Sequence, residues 1–266
     1  MTLPNGAQIT MKEVRGAHKY TVVGDSQIPE GMELPSVTTM LNVINKPALI
    51  GWAKNQALNA YERALDLKVS NPKEVANSIL DGESEYSKTR GTNVHAELTA
   101  LAIGDIKVSD LSPELQASGT LLLNWLRQNA MVVEYIELPV YAPYHNFAGT
   151  TDIIGHGFEV GRKTARPFII DLKTSKNVYP EHFAQVMGYE RLASHVLDWK
   201  YETSIDCDEY VLRVGEDGLF EPYKLNMAQR KAGWNLMSTA ARLWQAQQHM
   251  NEVMKYHKKQ IKKGAA

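Results

Sequence analysis

Phe168-Ile-Ile-Asp171-Leu-Lys173-Thr-Ser-Lys176 decides the reading of this chain. An apolar run ends in an acid, one intervening leucine and a lysine. Side chains on a strand alternate between its two faces, so Asp171 and Lys173 share one face while Ile170 and Leu172 turn the other way, into a core. Upstream, Gly149-Thr-Thr-Asp152 heads a second apolar run; downstream stands Gln185-Val-Met-Gly-Tyr189. If the two apolar runs pair as a hairpin, Asp152 and Asp171 converge at one end of it. Either acid alone reads as a turn or surface residue. An acid set directly after Phe-Ile-Ile is different, because charge is depleted in such runs unless it is used or paired.

The rest of the chain bounds the answer. Its 266 residues can bury a substantial core, and 44% hydrophobic with 22% charged residues is ordinary for a globular protein. No apolar run approaches the roughly 18 residues of a membrane span. The opening Met1-Thr-Leu-Pro-Asn-Gly carries neither a signal-peptide nor a transit pattern, so a cytoplasmic location is expected. One cysteine, Cys207, excludes an internal disulfide and any four-cysteine zinc or iron–sulfur site built by this chain alone. A formal net charge of −1 carries no general basic excess for coating nucleic acid, so positive charge has to act locally. Arg162, Lys163 and Arg166 are one local group. The other is the tail Lys255, Lys258, Lys259, Lys262 and Lys263, which reads as a solvated helix end.

Along the chain, residues 1–34 read as short strands between Gly and Pro turns. A helix opens at Ser36, its cap, and runs to about Asn45; another runs from Pro47 to about Leu65. Two further helices are expected over Pro72–Leu80 and Tyr86–Ile103, and a strongly amphipathic one over Pro113–Asn129. Strands follow at 132–141, 148–154, 167–173 and 209–214, with a helix over Pro180–Asp198 between the last two and a long helix from Asn226 to His257. The expected organisation is one integrated α/β domain. An N-terminal hairpin and helical subdomain covers 1–130, a core sheet with a crossover helix 131–225, and a closing helix with a basic tail 226–266.

Two carboxylates and a lysine at the end of paired strands suit metal-assisted phosphodiester hydrolysis. A hard divalent cation such as Mg²⁺ takes oxygen ligands at about 2.0–2.1 Å and keeps several waters, so two carboxylates plus substrate phosphate suffice. Gln185 and Tyr189, four apart on a helix, project from one face and can hydrogen-bond a phosphate, a water or the lysine. His95, in Gly91-Thr92-Asn-Val-His95-Ala-Glu97, is by itself an ordinary helical histidine. Neither a His-Glu-x-x-His run nor the downstream Pro-Cys-x-x-Cys of a zinc deaminase is present.

Taken in order, Gly-Thr-x-x-His (Gly91 to His95), Gly-x-x-Asp (Gly149 to Asp152), Asp-x-Lys-Thr-Ser (Asp171 to Ser175) and Gln-x-x-x-Tyr (Gln185 to Tyr189) resemble the PD-(D/E)XK nuclease superfamily. Within it the chain is most similar to the RecB-like branch, and there to phage exonucleases and the mitochondrial genome maintenance exonuclease. Leu34-Pro-Ser-Val-Thr-Thr-Met-Leu41 and Trp52 add to the likeness, which spans residues 34–190. The resemblance implies a restriction-endonuclease-like core, a small mixed sheet flanked by helices, with an N-terminal helical subdomain. It implies that His95, Asp152, Asp171 and the backbone carbonyl of Leu172 ligate one or two Mg²⁺ or Mn²⁺ ions, that Lys173 orients the attacking water, and that Gln185 and Tyr189 support the site. Glu137 matches a frequently acidic position. Arg90, Thr92, Thr174, Ser175 and Lys176 fall where DNA would be touched. Some relatives carry an iron–sulfur cluster that a chain with one cysteine cannot build, which places the likeness with the cluster-free group.

The expected activity is therefore a metal-dependent exonuclease on single-stranded DNA or strand ends, releasing 5′-phosphate products in phage-type recombination, replication or genome processing. It would act in the bacterial cytoplasm beside a recombinase, helicase or single-strand-binding protein. Trp52, Tyr61 and Trp125 either line an arch over a threaded strand or pack the helical part, and Trp125 reads as packing. A structure-specific endonuclease and a catalytically inactive module binding DNA ends are the alternatives.

Overall fold

In a computed structural model, residues 1–44, 47–158, 165–199, 207–215 and 218–264 are described. They divide into two compact units. One holds 1–44 and 99–266, and the other holds 45–98.

The larger unit opens with an antiparallel sheet of β1 (Gln8–Val14), β2 (Ala17–Val23) and β3 (Glu33–Pro35). Ser36 then caps α1 (Val37–Leu41), its hydroxyl accepting from Thr39 N at 3.0 Å, so the helix starts as expected but stops well short of Asn45. The main sheet has the order β4 (Met131–Tyr141), β5 (Ala148–Gly157), β6 (Arg166–Lys173), β7 (Asp208–Val214) and β8 (Phe220–Lys224). All neighbours are antiparallel except β6 and β7, which are joined in parallel through the crossover helix α5 (Pro180–Val196). The protein is thus mixed α/β, a five-stranded mixed sheet flanked by helices.

Sequence alternation explains the layers. Ile154, Ile169 and Val211 face one way and join Ala184, Met187 and Leu192 of α5 in the main core. The closing helix α6 (Met227–Gly264) packs on α5. Its start is fixed by a reciprocal pair, Asn226 N to Gln229 Oε1 at 2.9 Å and Gln229 N to Asn226 Oδ1 at 3.0 Å. The two helices approach closely because Gly233 has no side chain; a Cβ there would stand 2.9 Å from the Phe183 carbonyl oxygen. On α4 (Gln116–Gln128), entered through a 3₁₀ turn at Pro113–Leu115, Trp125 meets Tyr210 and Phe220 edge-on, ring centroids 5.2 and 6.1 Å away. Trp125 therefore packs, but against strands rather than among helices.

Strand β8 escapes a sequence reading because it contains Pro222. Proline removes a ladder donor and is tolerated on an edge strand, which is where β8 lies.

The smaller unit is α2 (Pro47–Asp66) and α3 (Pro72–Ile103) as far as Leu98. Ala60, Ala64 and Ala76 form its centre, and Arg63 pairs with Glu83 at 2.8 Å. The two helices expected over 72–80 and 86–103 are one. Asp81-Gly-Glu-Ser-Glu85 reads as a break, yet a single interior glycine costs about 1 kcal/mol and a polar run is no obstacle on a solvated helix. Trp52 is 54% exposed and Tyr61 is exposed too. Among the described residues no helix is long and apolar enough to cross a membrane.

Candidate active site

The site grows from the place where the β5–β6 ladder stops. Their pairing runs outward as far as Ile153 opposite Ile170. One residue further on, Asp152 replaces the ladder with its side chain: Oδ2 accepts from Leu172 N at 2.6 Å. Asp152 is 8% exposed, and this short bond to a backbone donor fixes its carboxylate against the end of β6. Asp171 is 1% exposed, so it is no surface strand residue. Period two carries Lys173 to the same face, where its Nζ lies 2.7 Å from Asp171 Oδ2. The expected convergence of Asp152, Asp171 and Lys173 at one strand end is present.

Glu137 enters from β4 by a backbone departure. The β4–β5 register passes from Ile136 opposite Ile153 to Leu138 opposite Thr151, and between these pairs Glu137 takes φ +47°. A left-handed non-glycine residue costs about 1–2 kcal/mol, and such outliers gather at functional sites. Glu137 and Asp152, both in the larger unit, each offer a carboxylate oxygen within 4.8 Å of the other and could hold a metal ion, while His95 lies on α3 in the smaller unit. Asp171, expected among the ligands, pairs with Lys173.

Helix α5 covers the same face. Gln185 Nε2 donates to the Tyr189 hydroxyl at 2.9 Å, as their spacing implies. Burial pushes the Tyr189 hydroxyl well above the usual tyrosine range, and the charges of Asp171 and Asp152 push it further, so it stays protonated beside the two acids. Its ring fits because residue 149 is glycine: a Cβ there would stand 2.5 Å from Tyr189 Cε1. The Gly149-Thr-Thr-Asp152 motif thus has a packing role as well as an acidic end.

Two residues escape the sequence reading. Tyr20, on β2, is fully buried with its hydroxyl 2.9 Å from Thr150 Oγ1. Burial raises its pKa; the Thr150 hydrogen bond opposes this and the Glu137 charge adds to it, which ties the N-terminal sheet to the acid cluster. Arg213, on β7 and 4% exposed, donates from Nε to Ser175 O at 3.0 Å and pairs through Nη1 with Glu221 at 2.7 Å. It pins the segment that leaves Lys173. Both act across long sequence separations, so no local pattern announces them.

Thr174 and Ser175 are half-buried, Ser175 donating to Asn177 O at 2.7 Å, and Lys176 is exposed. Arg90 and Thr92 lie on α3, Thr92 exposed with its hydroxyl donating to Lys88 O. Arg166 is engaged, 3.3 Å from Asp208 Oδ1, while Arg162 and Lys163 lie outside the described residues. Lys255 and Lys258 are exposed on α6. No family model matches this chain, and comparison with curated proteins finds no match.

Proposed function

We propose that this protein is a metal-dependent deoxyribonuclease of restriction-endonuclease-like fold, acting as an exonuclease on single-stranded DNA or strand ends. The observation that carries the reading is the 2.7 Å Asp171–Lys173 pair, set one register step beyond the Asp152 carboxylate that caps the same strand. A structural ion pair has no need of a second buried acid at the same strand end.

The donor chemistry fits a divalent cation. Carboxylate oxygens such as those of Glu137 and Asp152 suit Mg²⁺ and Mn²⁺, with waters completing the shell. Glu137 and Asp152 would hold it, with Asp171 and the Leu172 carbonyl as further oxygens at the end of β6, and the family resemblance adds His95 as a ligand. When bound, such an ion offsets the charge that develops on the phosphate in displacement at phosphorus.

The residues do the rest. Lys173 Nζ hydrogen-bonds the attacking water and is itself positioned by Asp171. Tyr189, kept protonated, donates to the acids or the scissile phosphate, and Gln185 fixes its hydroxyl. The water oxygen forms the new bond to phosphorus as the water gives up a proton to solvent, the P–O3′ bond breaks, and the 3′-oxygen takes a proton from solvent and leaves as a hydroxyl, so the product bears a 5′-phosphate. Thr174, Ser175 and Lys176, on the segment held by Arg213, sit where the strand backbone would pass.

The test uses end-labelled linear and covalently circular single-stranded DNA with Mn²⁺, Mg²⁺ or chelator, wild type beside Lys173→Ala. Metal-dependent laddering of the linear strand alone, lost in the variant, is the expected result, and the label released first gives the polarity. Cutting of the circle would assign an endonuclease. Absence of cleavage with every metal would leave a module that binds DNA ends.

A further inference from the structure

A cleft in the larger unit, about 660 Å³, shares no residue with the acid–lysine cluster. Its volume is that of a small-molecule site. Three separate parts of the fold meet in it: the β4–β5 loop (Tyr144, His145), the C-terminal half of α5 with the turn after it (Arg191, Ser194, His195, Asp198, Trp199), and Trp234 of α6.

Its walls are arranged for a planar ring. Tyr144 is 66% exposed at the mouth and stands edge-on to His145, centroids 4.6 Å apart; His145 in turn meets Trp234 at 5.1 Å. The Arg191 guanidinium lies over the Trp234 ring, 5.3 Å from its centroid. Burial, with help from Arg191, pulls the His145 imidazole down to about 4, so it is neutral at ordinary pH and stacks as an uncharged ring.

One side of the cleft is built for an anion. Arg191 and His195, four apart on α5, project from one face. Arg191 Nε faces the buried Glu190 at 3.3 Å, and its terminal amino groups make no hydrogen bond among the described residues. Behind the cleft, His195 Nε2 is held 3.1 Å from Asp25 Oδ2, which also accepts from the Tyr141 hydroxyl at 2.8 Å; Asn5 completes the chain by donating to that hydroxyl. This network fixes the imidazole and leaves Nδ1 as its ring atom for a ligand. Asp198, at the same cleft, suits the N–H edge of a base rather than a second phosphate.

We infer that this cleft binds a nucleotide unit, its base against Tyr144 and Trp234 and its phosphate on Arg191 and His195. Stacking faces beside a guanidinium with unused donors are the two elements of sequence-tolerant nucleotide binding. The ligand is either a free nucleoside monophosphate or one unit of a strand. Binding here requires no hydrolysis, so it stands apart from the nuclease reading.

The test is calorimetric titration of the full chain in chelator with dAMP, deoxyadenosine, inorganic phosphate and unphosphorylated (dA)5. Saturable dAMP binding, weakened about tenfold or more by Arg191→Gln and severalfold by Tyr144→Ala, is expected for a charge-assisted phosphate contact and an exposed stacking face. If (dA)5 binds with the same dependence on Arg191 and dAMP does not, the cleft takes a unit of a strand. Phosphate binding as tightly as dAMP would overturn the assignment, because the aromatic wall would then contribute nothing. Nucleotide binding that ignores both variants and is lost in Lys173→Ala would place the ligand at the acid cluster and overturn it equally. So would the absence of binding by both dAMP and (dA)5.

Discussion

Asp171 and Lys173, two residues apart on β6, bring Oδ2 and Nζ to 2.7 Å while the carboxylate is 1% and the lysine side chain 16% exposed. A pair so enclosed is costly to desolvate and gives little net stability for its formation. Removing one member is a different matter. Lys173→Met keeps the aliphatic stem and deletes the nitrogen, and it takes the lysine partner away from a buried carboxylate. We expect hydrolysis to fall at least about 100-fold, the range of a lost hydrogen-bond donor at the reacting centre. Unfolding free energy should drop on the order of 1–3 kcal/mol in denaturant titrations. Cleavage near the wild-type rate would remove Lys173 from the mechanism.

Glu137 tests whether backbone strain is tied to metal binding. Glycine enters the left-handed region freely, so Glu137→Gly should relieve about 1–2 kcal/mol of strain, less about 0.5–1 kcal/mol for the freedom glycine loses on folding. The metal-free variant should therefore be as stable as wild type or slightly more so. A ligand that binds only the folded state stabilises it in proportion to the logarithm of its saturation. Mn²⁺ should raise the melting temperature of wild type and raise that of Glu137→Gly much less. A variant that loses stability without metal and keeps the Mn²⁺ response would refute the link.

Gly149 and Tyr189 are coupled by shape alone. Gly149→Ala would set a methyl 2.5 Å from Tyr189 Cε1 and 3.2 Å from Val37 Cγ2. Overpacking of this kind costs about 1–3 kcal/mol. The expected result is a matching loss of stability with a fall in cleavage, because the Tyr189 hydroxyl leaves its place beside Asp171. Pairing Gly149→Ala with Tyr189→Leu should recover part of the stability and none of the activity. Full additivity of the two changes would show that the tyrosine ring is not the obstacle.

Much of this arrangement was legible in the sequence, and the gaps have physical causes. Strand β6 announces itself by period two, and the same rule sets Asp171 and Lys173 on one face. Gln185 and Tyr189 follow from helical spacing. Strand β8 was hidden by Pro222, and α3 by a polar stretch around Gly82 that interrupts hydrophobic periodicity without interrupting the helix. Glu137 was readable as an acid on a strand, but not as a residue that leaves the strand conformation. Tyr20, Arg213 and the aromatic cleft depend on packing between elements far apart in the chain. Their positions come from tertiary structure, which no local period encodes.

Glu209 gives a pH test that leaves the candidate site untouched. It is fully buried on β7, 2.8 Å from Arg230 Nε, with Glu190 also buried nearby. Burial raises its pKa to about 8; the charges of Glu190 and Asp208 add to the rise, and together they outweigh the arginine. The folded state then holds a proton that the unfolded chain releases near the ordinary glutamate value. That contribution to stability is fully present below about pH 4.5 and is lost as pH rises through about 8. The melting temperature should therefore fall between pH 5 and 8, by about 2–4 °C for each 1 kcal/mol at this chain size. Glu209→Gln cannot titrate and should flatten the slope in that window, with its relative advantage greatest at the alkaline end. Parallel curves for the two proteins would show that Arg230 keeps the carboxylate charged throughout.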